Sequence, residues 1–144
     1  MVTSKAEAGR SPVLVDSNVI LDVTTHDTKW ADWSSATLTA LADESLLVIN
    51  PIVYAEVSVD FARIEDLDGA LPRDLFLREP LPYEAGFLAA KCHQAYRRRG
   101  GLRLSVLPDF YLGAHAAVRG YRLLSRDGTR FRTYFPTVPL ISPA

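Results

Sequence analysis

The run Val13-Leu14-Val15 stops abruptly at Asp16, and Ser17-Asn18-Val19-Ile20 follows without a linker. Three consecutive branched apolar residues fit a strand buried on both faces, the kind found in parallel sheets. Asp16 then stands at the carboxyl end of that strand, the edge of an open α/β sheet where ligands collect. A strand buried on both faces requires partners and crossover helices, so the rest of the chain is constrained to supply them.

The remaining sequence does so in order. Ser17 to Thr25 fits a short helix, broken by His26, Asp27 and Thr28. Lys29 to Glu44 fits a second, with Trp30, Trp33, Leu38 and Leu41 at three-and-four spacing. Leu46 to Ile49 is a second buried strand, and Asn50-Pro51 starts the next helix with Asn50 as its cap. That helix is expected to run from Pro51 towards Ile64. Glu65 to Leu77 is a weaker acidic helical segment, bent or split by Gly69 and Pro72, and Pro80 and Pro82 end it. Tyr83 to Arg99 is a longer helix with Phe87, Leu88, Lys91, Ala95 and Tyr96 expected on its inner side and Gly100-Gly101 as its stop. Leu102 to Leu107 is a loop or short strand. Phe110 to Val118 is helical, Tyr121 to Ser125 is a third strand, Arg126 to Thr129 is a turn, and Val138 to Ile141 completes the sheet. Strands alternating with helices define an α/β class with a parallel sheet covered on both faces.

A length of 144 residues fits one domain, here residues 13–144, behind a loose leader at 1–12. With 48% hydrophobic and 23% charged residues, the chain can build a core, which excludes a disordered protein. The single cysteine, Cys92, cannot form an intrachain disulfide and is read as a packing residue. Residues 1–12 carry Lys5, Glu7 and Arg10 and no apolar core of a signal peptide. No apolar run approaches the ~20 residues of a membrane span, so a cytoplasmic protein is expected.

Charge is unevenly placed. Residues 97–144 hold nine arginines and only two acids, Asp109 and Asp127, while most of the acids lie earlier. Arginine's planar fork suits phosphate, although solvated helix ends are an equally good account of such a run.

Four carboxylates occupy positions that composition does not explain: Asp16 after the first strand, Glu56 among Ile52, Val53 and Val59 on a helical face, Asp109 at a helix start, and Asp127 after the third strand. Taken singly, Asp16 and Asp109 fit helix caps equally well, and Asp127 before Gly128 fits a turn. Glu56 has no such ordinary role, because a carboxylate on an apolar face is costly to desolvate. Taken together, acids gathered on one sheet edge repel one another unless a cation lies among them. Oxygen donors select Mg²⁺ or Mn²⁺ over zinc, and His26, His93 and His115 lack ligand spacing. No phosphate loop, GxSxG, HExxH or CxxC motif is present.

The blocks Leu14-Val15-Asp16-Ser17-Asn18-Val19, Ile52-Val53-Tyr54-Ala55-Glu56-Val57, Leu107-Pro108-Asp109 through Ala116, and Leu123-Leu124-Ser125-Arg126-Asp127, in that order, resemble PIN-domain ribonucleases, and within them the toxin of a VapC-type toxin–antitoxin pair. The resemblance implies a three-layer α/β/α fold with a short, mainly parallel sheet. It implies an acidic pocket of Asp16, Glu56, Asp109 and Asp127 holding Mg²⁺ or Mn²⁺, with Asn18 and Ser125 supporting it. It further implies an RNA substrate, a homodimer and a small antitoxin that covers the pocket. Arg126 and Arg130, the arginines nearest a pocket acid in sequence, are the candidates for holding the RNA backbone. The competing readings are a DNA-directed nuclease or phosphatase using the same acids, and a non-catalytic RNA- or partner-binding module on the same fold.

Overall fold

The computed structural model describes residues 11–102 and 106–143. The leader reading at residues 1–10, and the part of the Leu102 to Leu107 connection at 103–105, lie outside them. Among the described residues five strands form one sheet: β1 (Val13–Val15), β2 (Leu47–Ile49), β3 (Phe76–Arg78), β4 (Arg122–Leu124) and β5 (Leu140–Ile141). Their order is β3-β2-β1-β4-β5 and every pairing is parallel, with Leu14 in register with Val48 on one side and Leu123 on the other. The strands are short, and the three inner ones carry the residues that water never reaches: Val13, Leu14, Val15, Val48 and Leu123 are fully buried. Each such side chain contributes roughly 1.5–3 kcal/mol through burial.

The helices are α1 (Ser17–Thr24), α2 (Ala31–Glu44), α3 (Pro51–Ser58), α4 (Ile64–Ala70), α5 (Tyr83–Arg98), α6 (Leu107–Arg119) and α7 (Thr129–Tyr134). Right-handed crossovers over this strand order put α1 to α4 on one face of the sheet and α5 to α7 on the other. Most helix contacts group the same way, α1 with α2 and α3, and α6 with α5 and α7, with a smaller set between α3 and α6. The result is the three-layer α/β/α arrangement that the alternating pattern implies. On the second face, Phe110 is fully buried among Tyr96, Tyr134, Phe135 and His93, with ring centroids 5.3–6.2 Å away. That cluster joins α5, α6 and α7 into one layer.

Several local readings are corrected. Helix α3 stops at Ser58 instead of continuing towards Ile64, and Asp60 and Phe61 donate their amides to the carbonyls of Val57 and Ser58 in a turn. The acidic segment is helical only to Ala70. Phe76–Arg78 is then an edge strand paired with β2, not the end of a helix. The inner face of α5 is carried by Ala85 and Ala89, which are fully buried, whereas Phe87 is 71% exposed and Lys91 is exposed with its ammonium over the Phe87 ring. Small residues set this phase because they let α5 approach α6 closely. Helix α6 begins at Leu107, three residues earlier than expected, and Gly120 closes it with φ +70°. Helix α7 is an element the sequence pattern does not announce, and it begins at Thr129, the last residue of the expected turn.

Candidate active site

The carboxyl ends of β1 and β4 adjoin at the point where strand order reverses, the place where open α/β sheets form a crevice. Asp16 follows β1, and Ser125 and Asp127 follow β4. A cavity of about 430 Å³ opens there, lined by Asp16, Asn18, Asp109, Asp127, Arg130 and Tyr134 among others. Three of the four expected carboxylates therefore share one cavity. Glu56, on α3, stands beside it and reaches it through Ser17, whose hydroxyl lies 3.0 Å from Glu56 Oε1 and 3.4 Å from Asp16 Oδ1.

Asp16 is at the N-cap position of α1 but makes no side-chain cap hydrogen bond, so its role is not that of a cap. Its Oδ2 accepts a hydrogen bond from Ser125 Oγ at 2.8 Å. Ser125 Oγ in turn accepts from Asn18 Nδ2 at 3.3 Å and from the Asp127 amide at 3.2 Å. The Asn18 carbonyl oxygen accepts from the Arg126 amide at 3.2 Å, so Asn18 and Ser125 fasten α1 to the loop after β4 and aim Asp16. Asp16 is only 6% exposed, and burial, with the Asp109 and Glu56 charges nearby, raises its pKa from 3.8 to about 6 despite the Ser125 bond.

The other acids are shaped by the same surroundings. Asp109 lies within the first turn of α6 and caps nothing. Burial raises its pKa, Arg130 opposes that, and Asp127 adds to it. Burial also raises Glu56, with Ser17 lowering it and Asp109 raising it. Asp127 behaves partly as the turn reading expects, with its Oδ1 3.5 Å from the Thr129 amide. The acids thus feel each other electrically, which is what a site for a positive ligand requires.

Among the described residues no three carboxylate, imidazole or thiol side chains stand ready as a coordination cluster. Arg130 is one reason the acids are not free: its Nη1 lies 2.6 Å from Asp109 Oδ2. The donor set still fits a hard divalent cation in kind. It is all oxygen, it is partly buried, and its most buried member is held at a pKa that adjacent negative charge helps to raise. Asp16, Asp109 and Asp127 line the cavity and could hold such an ion, with Glu56 linked to it through Ser17.

Two features were not legible beforehand. Arg126, expected to face RNA, grips Asp22 on α1 with two hydrogen bonds of 2.9 and 3.0 Å and therefore holds the structure together. Buried His115 belongs to a chain running from Asn50 through its ring to Glu79 and Tyr121, none of which lines the acid cavity. Neither pairing leaves a mark at sequence spacing, since the partners are far apart along the chain. Cys92 is half-buried, with its thiol pushed up by burial and its Sγ 3.8 Å from the Tyr134 carbonyl oxygen.

No protein-family model and no curated protein matches the sequence. Solved structures do match. VapBC2 from Rickettsia felis, bound to a DNA fragment from its promoter, superposes with a TM-score of 0.68 at 15% identity, covering 91% of this chain and 98% of that one. The fold is PIN-like, as in VapC-type toxins. A toxin–antitoxin complex from Klebsiella pneumoniae gives 0.66 at 20% identity over 92% and 98%. FitAcB from Neisseria gonorrhoeae gives 0.63 at 18% over 90% and 96%. The PIN-like fold therefore extends over nearly the whole chain, with the acid cavity at its carboxyl edge.

Proposed function

We propose that the protein is a Mg²⁺- or Mn²⁺-dependent endoribonuclease, the toxin of a toxin–antitoxin pair. The observation that carries this reading is the meeting of Asp16, Asp109 and Asp127, from three distant segments, in one cavity at the strand-order reversal, with Glu56 linked to them by Ser17. The similarity in fold to toxin–antitoxin complexes supports the biological half of it. Asp16 and Asp109 would hold the principal ion, and Glu56 and Asp127 would complete the pocket directly or through water. A bound divalent ion lowers the pKa of its water and neutralises charge that builds on phosphoryl oxygens. The protein's own part is positioning: Ser125 fixes Asp16, Ser17 holds Glu56, and Asn18 ties the loop after β4 to α1.

The partner reading has one candidate surface. A shallow groove of about 200 Å³ is lined by Ile20, Val23, Leu38, Leu75 and Phe76, on the early helices and the edge strand, and suits an apolar segment of an antitoxin. A homodimer is part of the same reading. A cytoplasmic location belongs to the toxin reading; among the described residues no helix is long and apolar enough to cross a membrane.

A second reading has one observation in its favour. Arg130 already neutralises Asp109, so a non-catalytic RNA- or partner-binding module on this fold would tolerate its acids without a metal. Incubating the purified protein with structured RNA, duplex DNA and a phosphomonoester, with Mn²⁺ and with chelator, separates these possibilities. The ribonuclease reading expects RNA cleavage in Mn²⁺ alone, reduced at least ~100-fold by Asp109→Asn. Cleavage that survives chelation sinks the metal, and RNA binding without cleavage in any metal favours the module.

A further inference from the structure

We propose that Arg130 is a built-in counter-ion for Asp109 that a divalent cation must displace, and that the displaced guanidinium becomes the group that holds a substrate phosphate. This rests on the nuclease reading above and assigns Arg130 a role within it.

The guanidinium is held on two sides. Nη1 is 2.6 Å from Asp109 Oδ2, and its central carbon lies 5.6 Å from the centre of the Tyr96 ring. Both contacts are made in the acid cavity, whose walls include Tyr96 and Arg130 themselves. Arg130 is the arginine among the cavity's lining residues. Its neighbours in sequence are committed elsewhere: Arg126 to Asp22, and Arg132 to Ser142 at 2.7 Å. Arg130 therefore faces Asp16, Asp109 and Asp127 as the one positive group lining that space, among the described residues.

An ion held by Asp109 and a guanidinium on the same carboxylate are like charges at contact distance, so they compete. One Asp109 oxygen is already engaged by Arg130, so an ion on that oxygen must take the guanidinium's place. Release requires only the side chain to turn. The backbone of α7 is anchored by buried Phe131 and by Phe135 at its end, so Arg130 swings from a fixed base. A freed guanidinium presents a planar pair of donors, the geometry that a phosphodiester's two free oxygens accept. Ion binding and phosphate binding would then be coupled, each favouring the state the other needs.

The test is Mn²⁺ binding by calorimetry, in the absence of RNA, for the wild type, Arg130→Ala and Arg130→Gln. Loss of a charge-assisted hydrogen bond that competes with the ion should tighten Mn²⁺ binding by about tenfold in both variants. A mixed-sequence single-stranded RNA, titrated in Ca²⁺, should bind the variants about tenfold more weakly than the wild type, with a much smaller difference in chelator. A residue that only clamps α7 to α6 would lower the melting temperature and leave Mn²⁺ affinity unchanged or weaker, which overturns the proposal. If both variants fold poorly, the wild type still decides: the Arg130 Nε–H resonance should shift and exchange faster on adding Mg²⁺, and an unmoved resonance at saturating Mg²⁺ overturns the proposal. Absence of any Mn²⁺ binding by the wild type overturns the nuclease reading and this one together. Binding that the variants do not tighten overturns this one alone.

Discussion

Arg126 holds Asp22 through two parallel hydrogen bonds, 2.9 Å from Nε to Oδ2 and 3.0 Å from Nη2 to Oδ1, although 104 positions separate them. Asp22 is 2% exposed and receives one further bond, from Ser34 Oγ at 2.8 Å. The pair ties the loop that carries Asp127 to the helix that follows Asp16, so it sets the distance between two walls of the acid cavity.

Arg126→Ala strands that buried carboxylate. The loss is expected to be about 2–4 kcal/mol in urea denaturation, below the upper end for fully buried pairs because the arginine is partly open to solvent. Removing both partners, with Asp22→Ala added, should recover part of it, since no buried charge then remains. Amides of residues 125–128 should exchange faster in the single variant. A loss under 0.5 kcal/mol, on the order of a surface pair, would show that the bond is incidental.

The Asp16 carboxyl gives a pH dependence with a definite sign. Burial, with help from Asp109 and Glu56, holds it at about 6 against an ordinary 3.8, so the folded protein keeps a proton that the unfolded chain has released between those values. Its contribution to stability is complete below about 3.8 and is lost as pH rises through about 6, amounting to about 2–3 kcal/mol at neutral pH. Asp109 and Glu56, also raised, act in the same direction. In chelator, Asp16→Asn is therefore expected to be more stable than the wild type at neutral pH and to lose that advantage near pH 4. On the proposed metal-dependent reading, saturating Mn²⁺ should reverse the order at neutral pH, because an ion held by Asp16 would stabilise the wild type alone. A variant less stable than the wild type in chelator at neutral pH would contradict the electrostatic account.

Gly113 and Gly69 offer a matched pair. A Cβ on Gly113 would meet the Phe135 ring at 2.3 Å, and Phe135 is 3% exposed and packed against Phe110, so it has nowhere to go. Gly69, in α4, has nothing within 4 Å. Gly113→Ala is expected to cost about 1–2 kcal/mol, overpacking outweighing the gain in helix propensity. Gly69→Ala should stabilise by up to about 1 kcal/mol. Thermal melts of the two variants check this directly. Equal effects of one sign would mean that α6 and α7 are looser than they look.

Much of this arrangement was legible in the chain, for definable reasons. Val13-Leu14-Val15, Leu47-Val48-Ile49 and Leu123-Leu124 are apolar at every position because both sheet faces are covered, and each run ends at a polar residue, so strand and site edge are marked together. Asn50 caps α3 through the Val53 amide as its sequence context implies. Strand β3 escaped because it is an edge strand in which only Phe76 is fully buried, so it has neither a continuous apolar run nor a long alternation. The phase of α5 was misread because bulky Phe87 and Lys91 look like interior residues beside Ala85 and Ala89, yet close helix approach selects the small ones. Asp16, Asp109 and Asp127 were recognisable by their places at strand and helix ends. Arg130 on Asp109 and Arg126 on Asp22 were not, because ion pairs between distant segments have no period.

The last expectation concerns the chain of hydrogen bonds through His115. Asn50 Oδ1 accepts from the Val53 amide at 3.0 Å, which leaves its Nδ2 as the donor facing His115 Nδ1 at 3.1 Å. Nδ1 must then accept, so the ring proton lies on Nε2 and is donated to Glu79 Oε1 at 3.1 Å, while Tyr121 donates to Glu79 Oε2 at 2.7 Å. Ring ¹⁵N shifts should report this tautomer in the wild type. Asn50→Ala removes the cap and leaves Nδ1 buried without a donor, a combined loss of about 2–3 kcal/mol. Asn50→Asp keeps the cap but places an acceptor against an acceptor, so the Nδ1 shift should move to the protonated range or the variant should be as unstable as the alanine one. A wild-type spectrum with the proton on Nδ1 would mean that the Asn50 amide is oriented the other way and the cap is absent.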